Sequence, residues 1–89
     1  MSVPYEKTLE KYLCQKVKSL GGMCIKLTGE VGIPDRLVIL PTGKKVFVEL
    51  KREGEKPRAI QDFMLKKLMN LGCDVLVIDS KEDVRNFLL

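Results

Sequence analysis

Two carboxylates and a lysine stand at a spacing that could build a metal-binding site. Pro34-Asp35 is followed, fourteen residues after the aspartate, by Glu49-Leu50-Lys51. Both segments belong to predicted strands, in which successive side chains point to opposite faces. Glu49 and Lys51 would therefore project to one side of the sheet, while Leu50 projects to the other. The pattern predicts a carboxylate and an ammonium group on one face.

The residues between these motifs predict a β-hairpin that would bring Asp35 next to Glu49. Two apolar-rich segments flank a three-residue loop, Pro41-Thr42-Gly43. The glycine suits the left-handed backbone conformation that such loops require. If Leu40 faces Lys44, counting outward along both strands places Asp35 opposite Glu49. Two carboxylates and a lysine would then converge at one end of the sheet.

Two carboxylates this close repel each other, and on an apolar sheet they need a cation to neutralise them. Mg²⁺ and Mn²⁺ suit this role, because they bind one or two protein carboxylates and take further ligands from water and substrate phosphate. The alternative is a solvated cross-strand cluster, since Glu-x-Lys is a weak pattern in a chain with 31% charged residues. The apolar neighbours Val46, Phe47, Val48 and Leu50 predict a buried central strand and favour the metal site.

This arrangement resembles the active-site hairpin of the PD-(D/E)XK nuclease superfamily. A narrower resemblance is to the VRR-NUC domain, the virus-type replication-repair nuclease, and it extends over nearly the whole chain. The positions that carry it are Glu6, the Gly21-Gly22 turn, Gly32-Ile33-Pro34-Asp35-Arg36, Val48-Glu49-Leu50-Lys51-Arg52 and Gln61. The resemblance implies an α/β fold with a restriction-endonuclease-like core, in which a mixed sheet of about four strands is flanked by helices. One such domain would span residues 1–89.

The resemblance also implies roles for individual residues. Asp35 and Glu49 would ligate the metal, Lys51 would aid the attacking water, and Glu6 and Gln61 would complete the catalytic site. The cofactor would be Mg²⁺ or Mn²⁺. The implied metal-binding positions are Asp35, Glu49, Leu50 and Glu6.

Two predicted helices would carry Glu6 and Gln61 to this site. The first runs from about Tyr5 to Leu20 and is closed by a glycine pair; the second starts near Pro57 and ends at Gly72. Glu6 and Gln61 both fall on the apolar faces of their helices, where a polar side chain needs a partner. The alternatives are an N-terminal acid stabilised by the helix dipole and an amide at the margin of the apolar face. The predicted apolar face of the second helix comprises Ile60, Phe63, Met64, Leu68 and Leu71.

The remaining segments complete the predicted order of elements. Residues 23–28 alternate as a first strand, residues 29–33 form a glycine-containing connection, and residues 75–78 form a short buried strand. Ser80, with Asp83 three residues later, predicts the capped start of a last helix. The expected order is a helix, three strands in an antiparallel or mixed unit, a helix, a strand and a helix.

The charge of the chain favours a polyanionic partner such as DNA. The net charge is +4, and the proposed metal site would use several of the twelve acids, so the remaining surface is more basic than the total suggests. For each single basic residue, the alternative is an ordinary solvated side chain. The main candidate DNA contacts are Lys26, Arg36, Arg52 and Arg58, and Lys44, Lys45 and Lys56 are further candidate phosphate contacts.

Other classes of protein fit the sequence less well. Cys14, Cys24 and Cys73 are widely separated and the chain has no histidine, so neither a disulfide framework nor a zinc site is indicated. No apolar run is long enough to cross a bilayer, and the N-terminus lacks the apolar stretch of a signal peptide. We therefore expect a soluble, intracellular protein. If the chain is phage-encoded, that compartment is the cytoplasm of a bacterial host.

These observations predict a metal-dependent DNA endonuclease. A domain of 89 residues has little surface with which to hold a duplex, and a homodimer would place two sites on one substrate. The resemblance adds a preference for branched DNA such as a Holliday junction, because two-fold symmetry matches a four-way junction. Candidate dimer contacts are the Phe87-Leu88-Leu89 segment and the Val31–Ile33 connection. Two alternatives stay open: a non-catalytic DNA-binding module on a nuclease scaffold, and an RNA-directed nuclease that would use the same metal chemistry.

Overall fold

Three helices and one four-stranded mixed sheet make up the computed structural model, which describes residues 5–89. Strands β1 to β3 pair in antiparallel fashion, and β4 lies parallel to β3, in the spatial order β1-β2-β3-β4. The α/β architecture with a mixed four-stranded sheet is confirmed. The elements in chain order are α1 (Tyr5–Ser19), β1 (Met23–Lys26), β2 (Arg36–Ile39), β3 (Lys45–Leu50), α2 (Ala59–Asn70), β4 (Asp74–Ile78) and α3 (Lys81–Phe87).

The β2–β3 hairpin has the predicted register. Val38 pairs with Val46, and the amide of Leu40 donates to the carbonyl of Lys44 at 2.9 Å. Gly43 in the connecting loop has φ of +88°, the left-handed conformation that a residue with a β-carbon rarely adopts. Because the register is fixed by this loop, the two ends of the hairpin meet as the sequence predicts.

One hydrophobic cluster lies between the sheet and helices α1 and α3. Leu9, Leu13 and Val17 recur at helical spacing along α1 and are buried completely or nearly so. Phe87 and Leu88 pack against the same cluster, so of the predicted C-terminal dimer contacts only Leu89 is fully exposed. The buried members of the cluster are Leu9, Leu13, Val17, Val38, Val46, Val48, Leu50, Ile78 and Val84.

Helix α2 forms where expected, but the prediction of its buried face was right only for Met64 and Leu68, which are half-buried. Ile60, Phe63 and Leu71, which belong to the predicted apolar face, are 49%, 62% and 72% exposed. The buried residue is Leu65, which lies about 140° around the helix from Ile60. The helix rests against β4 at the edge of the sheet, so only a narrow part of its circumference is covered. Apolar periodicity therefore located the helix but not the side that faces the core.

Two smaller differences concern the ends of elements. Helix α1 ends at Ser19, one residue before Leu20, and β1 ends at Lys26. The first strand still continues in a looser form, because the amide of Leu27 donates to the carbonyl of Asp35 at 3.0 Å. Helix α3 begins after Ser80, whose hydroxyl accepts a hydrogen bond from the amide of Asp83, as the capping pattern predicts. Within residues 5–89, no helix has both the length and the apolar character that a membrane crossing requires.

Candidate active site

Asp35 and Glu49 stand side by side at one end of the sheet. Arg36 of β2 pairs with Val48 of β3, so the next residues outward on the two strands are the two acids. The Asp35 carboxylate is held in place because its Oδ2 accepts a hydrogen bond of 2.8 Å from the amide of Leu50. This bond crosses from one strand to the other and fixes the aspartate beside the strand that carries Glu49.

Glu49 is a buried carboxylate with no hydrogen-bond donor. It is only 1% exposed, and within residues 5–89 neither of its side-chain oxygens has a hydrogen-bond partner. Burial raises the pKa of this carboxyl group to about 7; the negative charge of Asp35 adds to the rise, and Lys51 offsets part of it. A buried anion that accepts no hydrogen bond is destabilising unless nearby positive charge compensates it.

Lys51 lies beside Glu49, as strand alternation predicts. Its ammonium nitrogen is 3.4 Å from Oε2 of Glu49, an ionic contact rather than a short hydrogen bond. The residue is 6% exposed, and its amide donates to the carbonyl of Ile78, which extends the β3–β4 pairing. A second carboxylate, that of Glu55, lies 4.0 Å from the same nitrogen. Lys51 therefore brings positive charge into the cavity without fully satisfying Glu49.

The donor set fits a hard divalent cation with an incomplete protein shell. No group of three or more closely placed Cys, Asp or Glu side chains occurs in the described part of the chain, so the protein offers the Asp35–Glu49 pair. Mg²⁺ characteristically binds through one or two carboxylates and keeps water or phosphate oxygens as its other ligands. The hydrocarbon side chain of Leu50 packs in the core and carries no oxygen, so the main-chain carbonyl is the only metal ligand that this residue could add.

Glu6 and Gln61 line the same cavity, which measures about 340 Å³, but both already have partners. Oε1 of Glu6 lies 3.2 Å from Nε of Arg52, and Oε1 of Gln61 accepts a 3.0 Å hydrogen bond from the amide of Arg58. Gln61 thereby satisfies an otherwise free amide at the start of α2. The wall of the cavity also includes Lys7, Glu10 and Glu55. Sequence reasoning did not assign these three to the site; for Glu10 the available signal was its position one helical turn after Glu6.

The candidate DNA contacts fall into two groups. Lys26, Arg52 and Arg58 are exposed, and Arg58 lines the active-site cavity. Arg36 is instead held by protein groups: its Nε lies 2.6 Å from Oε2 of Glu10, and its Nη1 donates to the carbonyl of Cys24 at 3.1 Å. Its side chain is 19% exposed, so it anchors α1 to the sheet and offers little surface to a phosphate.

A mixed sheet with Asp35 directly before β2, Glu49 within β3 and Lys51 directly after β3 is the arrangement of a nuclease core of the PD-(D/E)XK type. The structure matches a solved "VRR_NUC domain" with a TM-score of 0.90 and 35% sequence identity, over 97% of this chain and 96% of that one. The chain is also 44% identical over 79 residues to "Putative nuclease p44" of Acyrthosiphon pisum secondary endosymbiont phage 1, covering 86% of this chain and 85% of the relative. No family model matches the sequence. The chain belongs to the VRR-NUC family of nucleases.

Proposed function

We propose that this nuclease is a Mg²⁺- or Mn²⁺-dependent endonuclease that hydrolyses phosphodiester bonds of DNA. The observation that carries the proposal is the Glu49 carboxylate, buried beside Asp35 with no hydrogen-bond donor in residues 5–89. Lys51, at 3.4 Å from Oε2 of Glu49, balances this charge only in part. A metal-binding role accounts for both the burial of the carboxylate and its lack of hydrogen-bond donors.

Asp35 and Glu49 would hold the ion, together with the main-chain carbonyl of Leu50. When bound, the ion would supply Lewis-acid activation of the phosphate and a bound water of lowered pKa. Lys51 would place its positive charge next to the reacting phosphate, where it stabilises the negative charge that develops in the transition state. Glu6 and Gln61 would act indirectly, since Glu6 forms an ion pair with Arg52 and Gln61 caps the first turn of α2.

Substitution of the three central residues tests this assignment. We expect Asp35→Asn and Glu49→Gln to reduce cleavage at least about 100-fold, the scale on which one transition-state contact acts. Lys51→Ala should lower kcat while leaving metal affinity and the Kd for DNA near those of the wild type. The assay is cleavage of a labelled duplex with Mg²⁺, Mn²⁺ or EDTA, with binding of Mn²⁺ measured separately by calorimetry.

Glu53→Gln is the matched control, because it removes an exposed carboxylate that no ion pair holds within residues 5–89. It should retain full activity. Full activity of Asp35→Asn or Glu49→Gln, or wild-type cleavage in EDTA, would contradict the proposal. A wild-type protein that binds DNA but cuts neither DNA nor RNA would instead favour the binding module, and preferential cleavage of matched RNA would favour the RNA-directed nuclease.

We further propose that the enzyme acts as a homodimer on branched DNA. A single site cuts one strand, and cutting a second strand from a small domain would require rebinding, whereas two-fold symmetry presents two sites together. An exposed apolar patch on α2 and its neighbouring loop supports the dimer; we call Val31, Ile60, Phe63 and Leu71 the α2 patch. A β-carbon added to Gly32 would lie 2.7 Å from the carbonyl oxygen of Ile60, which shows that the Val31 loop packs directly against α2. A second copy of the chain is the partner that would cover this patch.

A further inference from the structure

A second cavity, separate from the one around Glu49, lies between α1 and the β1–β2 side of the sheet. It measures about 440 Å³ and is open to solvent along its length. We call it the α1 groove. The charged residues that line it are Lys7, Glu10, Lys11, Lys18, Lys26 and Arg36.

The α1 groove carries several positive charges that are not paired with acidic residues. Its one acid, Glu10, is neutralised by Arg36 at 2.6 Å, so this pair adds no net charge to the surface. Lys7, Lys11, Lys18 and Lys26 are exposed, and none of them forms an ion pair with another residue in the range 5–89. Four unpaired ammonium groups therefore line the α1 groove. Each of them could release a condensed counterion from a polyanion.

The groove adjoins the proposed catalytic cavity. Lys7 and Glu10 line both cavities, so they stand at the junction between them. Lys7, Lys11 and Lys18 follow one side of α1 at intervals of four and seven residues, and the distance along the helix from the first to the last is roughly 16 Å. At 3.4 Å per nucleotide of one strand, this length matches about five nucleotides.

We infer that the α1 groove binds the phosphodiester backbone of a DNA strand on one side of the scissile phosphate. The inference rests on the proposed function, because it takes DNA as the substrate of the neighbouring site. The residues that line the groove include no aromatic side chain on which a base could stack, and lysines bind phosphate as point charges. The contacts therefore position the strand and carry no sequence preference.

The test compares two double variants that each remove two positive charges. Lys11→Gln/Lys18→Gln changes the groove, and Lys81→Gln/Arg85→Gln changes two exposed basic residues of α3 that lie beside Tyr12 and do not line the groove. Binding of one fluorescent duplex is followed by anisotropy in EDTA over a series of salt concentrations, so that no cleavage occurs. We expect the groove variant to raise Kd about 10-fold or more at low salt and to reduce the magnitude of the log Kd–log salt slope by roughly 1.8, or 0.9 for each lost phosphate contact.

The α3 control should keep the wild-type slope of log Kd against log salt. Equal losses in both variants, or an unchanged slope in the groove variant, would overturn the inference. The charge-reversed pair Lys11→Glu/Lys18→Glu should enlarge the effect, and thermal melting verifies that both groove variants fold. Because the binding is measured without metal, failure of the groove is distinguishable from failure of the proposed catalysis, which is tested by the cleavage of wild type and Glu49→Gln.

Discussion

At the scale of single residues, the site is organised around the charge of Glu49. Strand alternation was sufficient to predict that Glu49 and Lys51 share a face, and hairpin counting was sufficient to place Asp35 beside them. The pairing of Arg36 with Glu10 could not be predicted, because these residues are 26 positions apart and meet only through the packing of α1 on the sheet. The capping bond of Gln61 was missed because the usual Ser or Thr cap is absent from the start of α2.

The raised pKa of Glu49 predicts that the metal-free protein loses stability as the pH rises. The folded-state pKa is about 7, against 4.5 for the ordinary carboxyl group, so the folded protein retains a proton that the unfolded chain releases. The stability that this bound proton contributes to the folded state is fully present below about pH 4.5, decreases between pH 4.5 and 7, and is absent above that range. The difference corresponds to roughly 3 kcal/mol at most.

Urea denaturation in EDTA at pH 5 and pH 8 measures this effect. The wild type should have the higher free energy of unfolding at pH 5, and Glu49→Gln should abolish most of the difference. The chain contains no histidine, so the usual source of titration in this window is missing. An identical pH dependence in wild type and Glu49→Gln would exclude Glu49 as the origin.

At the scale of secondary-structure elements, helix α2 shows how much of the structure apolar periodicity can predict. Its existence and approximate ends followed from the sequence, but the residues Ile60, Phe63 and Leu71 are as apolar as a core face and yet lie outside. Periodicity indicates that one face of a helix is apolar, but it does not indicate which part of the protein covers that face. By contrast, the β2–β3 register was predictable because a short loop with a left-handed glycine leaves little choice of pairing.

Gln61 provides a test at the level of this helix. Gln61→Ala removes the acceptor for the Arg58 amide and should lower the free energy of unfolding by about 1 kcal/mol, as for other lost N-terminal caps. Gln61→Glu places a carboxylate oxygen where the amide oxygen was, so an acceptor for the Arg58 amide is kept and the stability should be retained. The free energies of unfolding of both variants are measured by thermal and urea denaturation, and their cleavage rates are measured in parallel. Unchanged stability with lost turnover in Gln61→Ala would assign the residue to catalysis rather than to positioning.

At the scale of the whole molecule, the α2 patch predicts the quaternary structure. Phe63→Lys should convert the proposed homodimer into a monomer, because it places a charge in the centre of the apolar contact. Met69→Lys is the control, since Met69 is 49% exposed but lies about 180° around the helix from Ile60. Light scattering at micromolar concentration distinguishes the masses.

A monomeric wild type, both free and bound to DNA, would contradict the dimer. If the dimer forms, competition between a four-way junction and a linear duplex of equal length tests the preference for branched DNA. Equal cleavage of both substrates would remove that preference and leave the endonuclease activity in place. The Phe63→Lys variant should then still cut one strand of a junction at a time, but it should lose the paired cleavage of two strands.

The hairpin that carries Asp35 and Glu49 also has a consequence for the order in which the chain folds. Hairpins close in about 1–10 μs, whereas the parallel pairing of β3 with β4 must await the α2 crossover. The two carboxylates therefore meet early, before the pairing of β3 with β4 draws the amide of Lys51 to Ile78. We expect the repulsion between them to slow folding, and Mn²⁺ to accelerate it. Stopped-flow refolding checks this: an equal acceleration by Mn²⁺ in wild type and Glu49→Gln would show that the hairpin does not bind metal during folding.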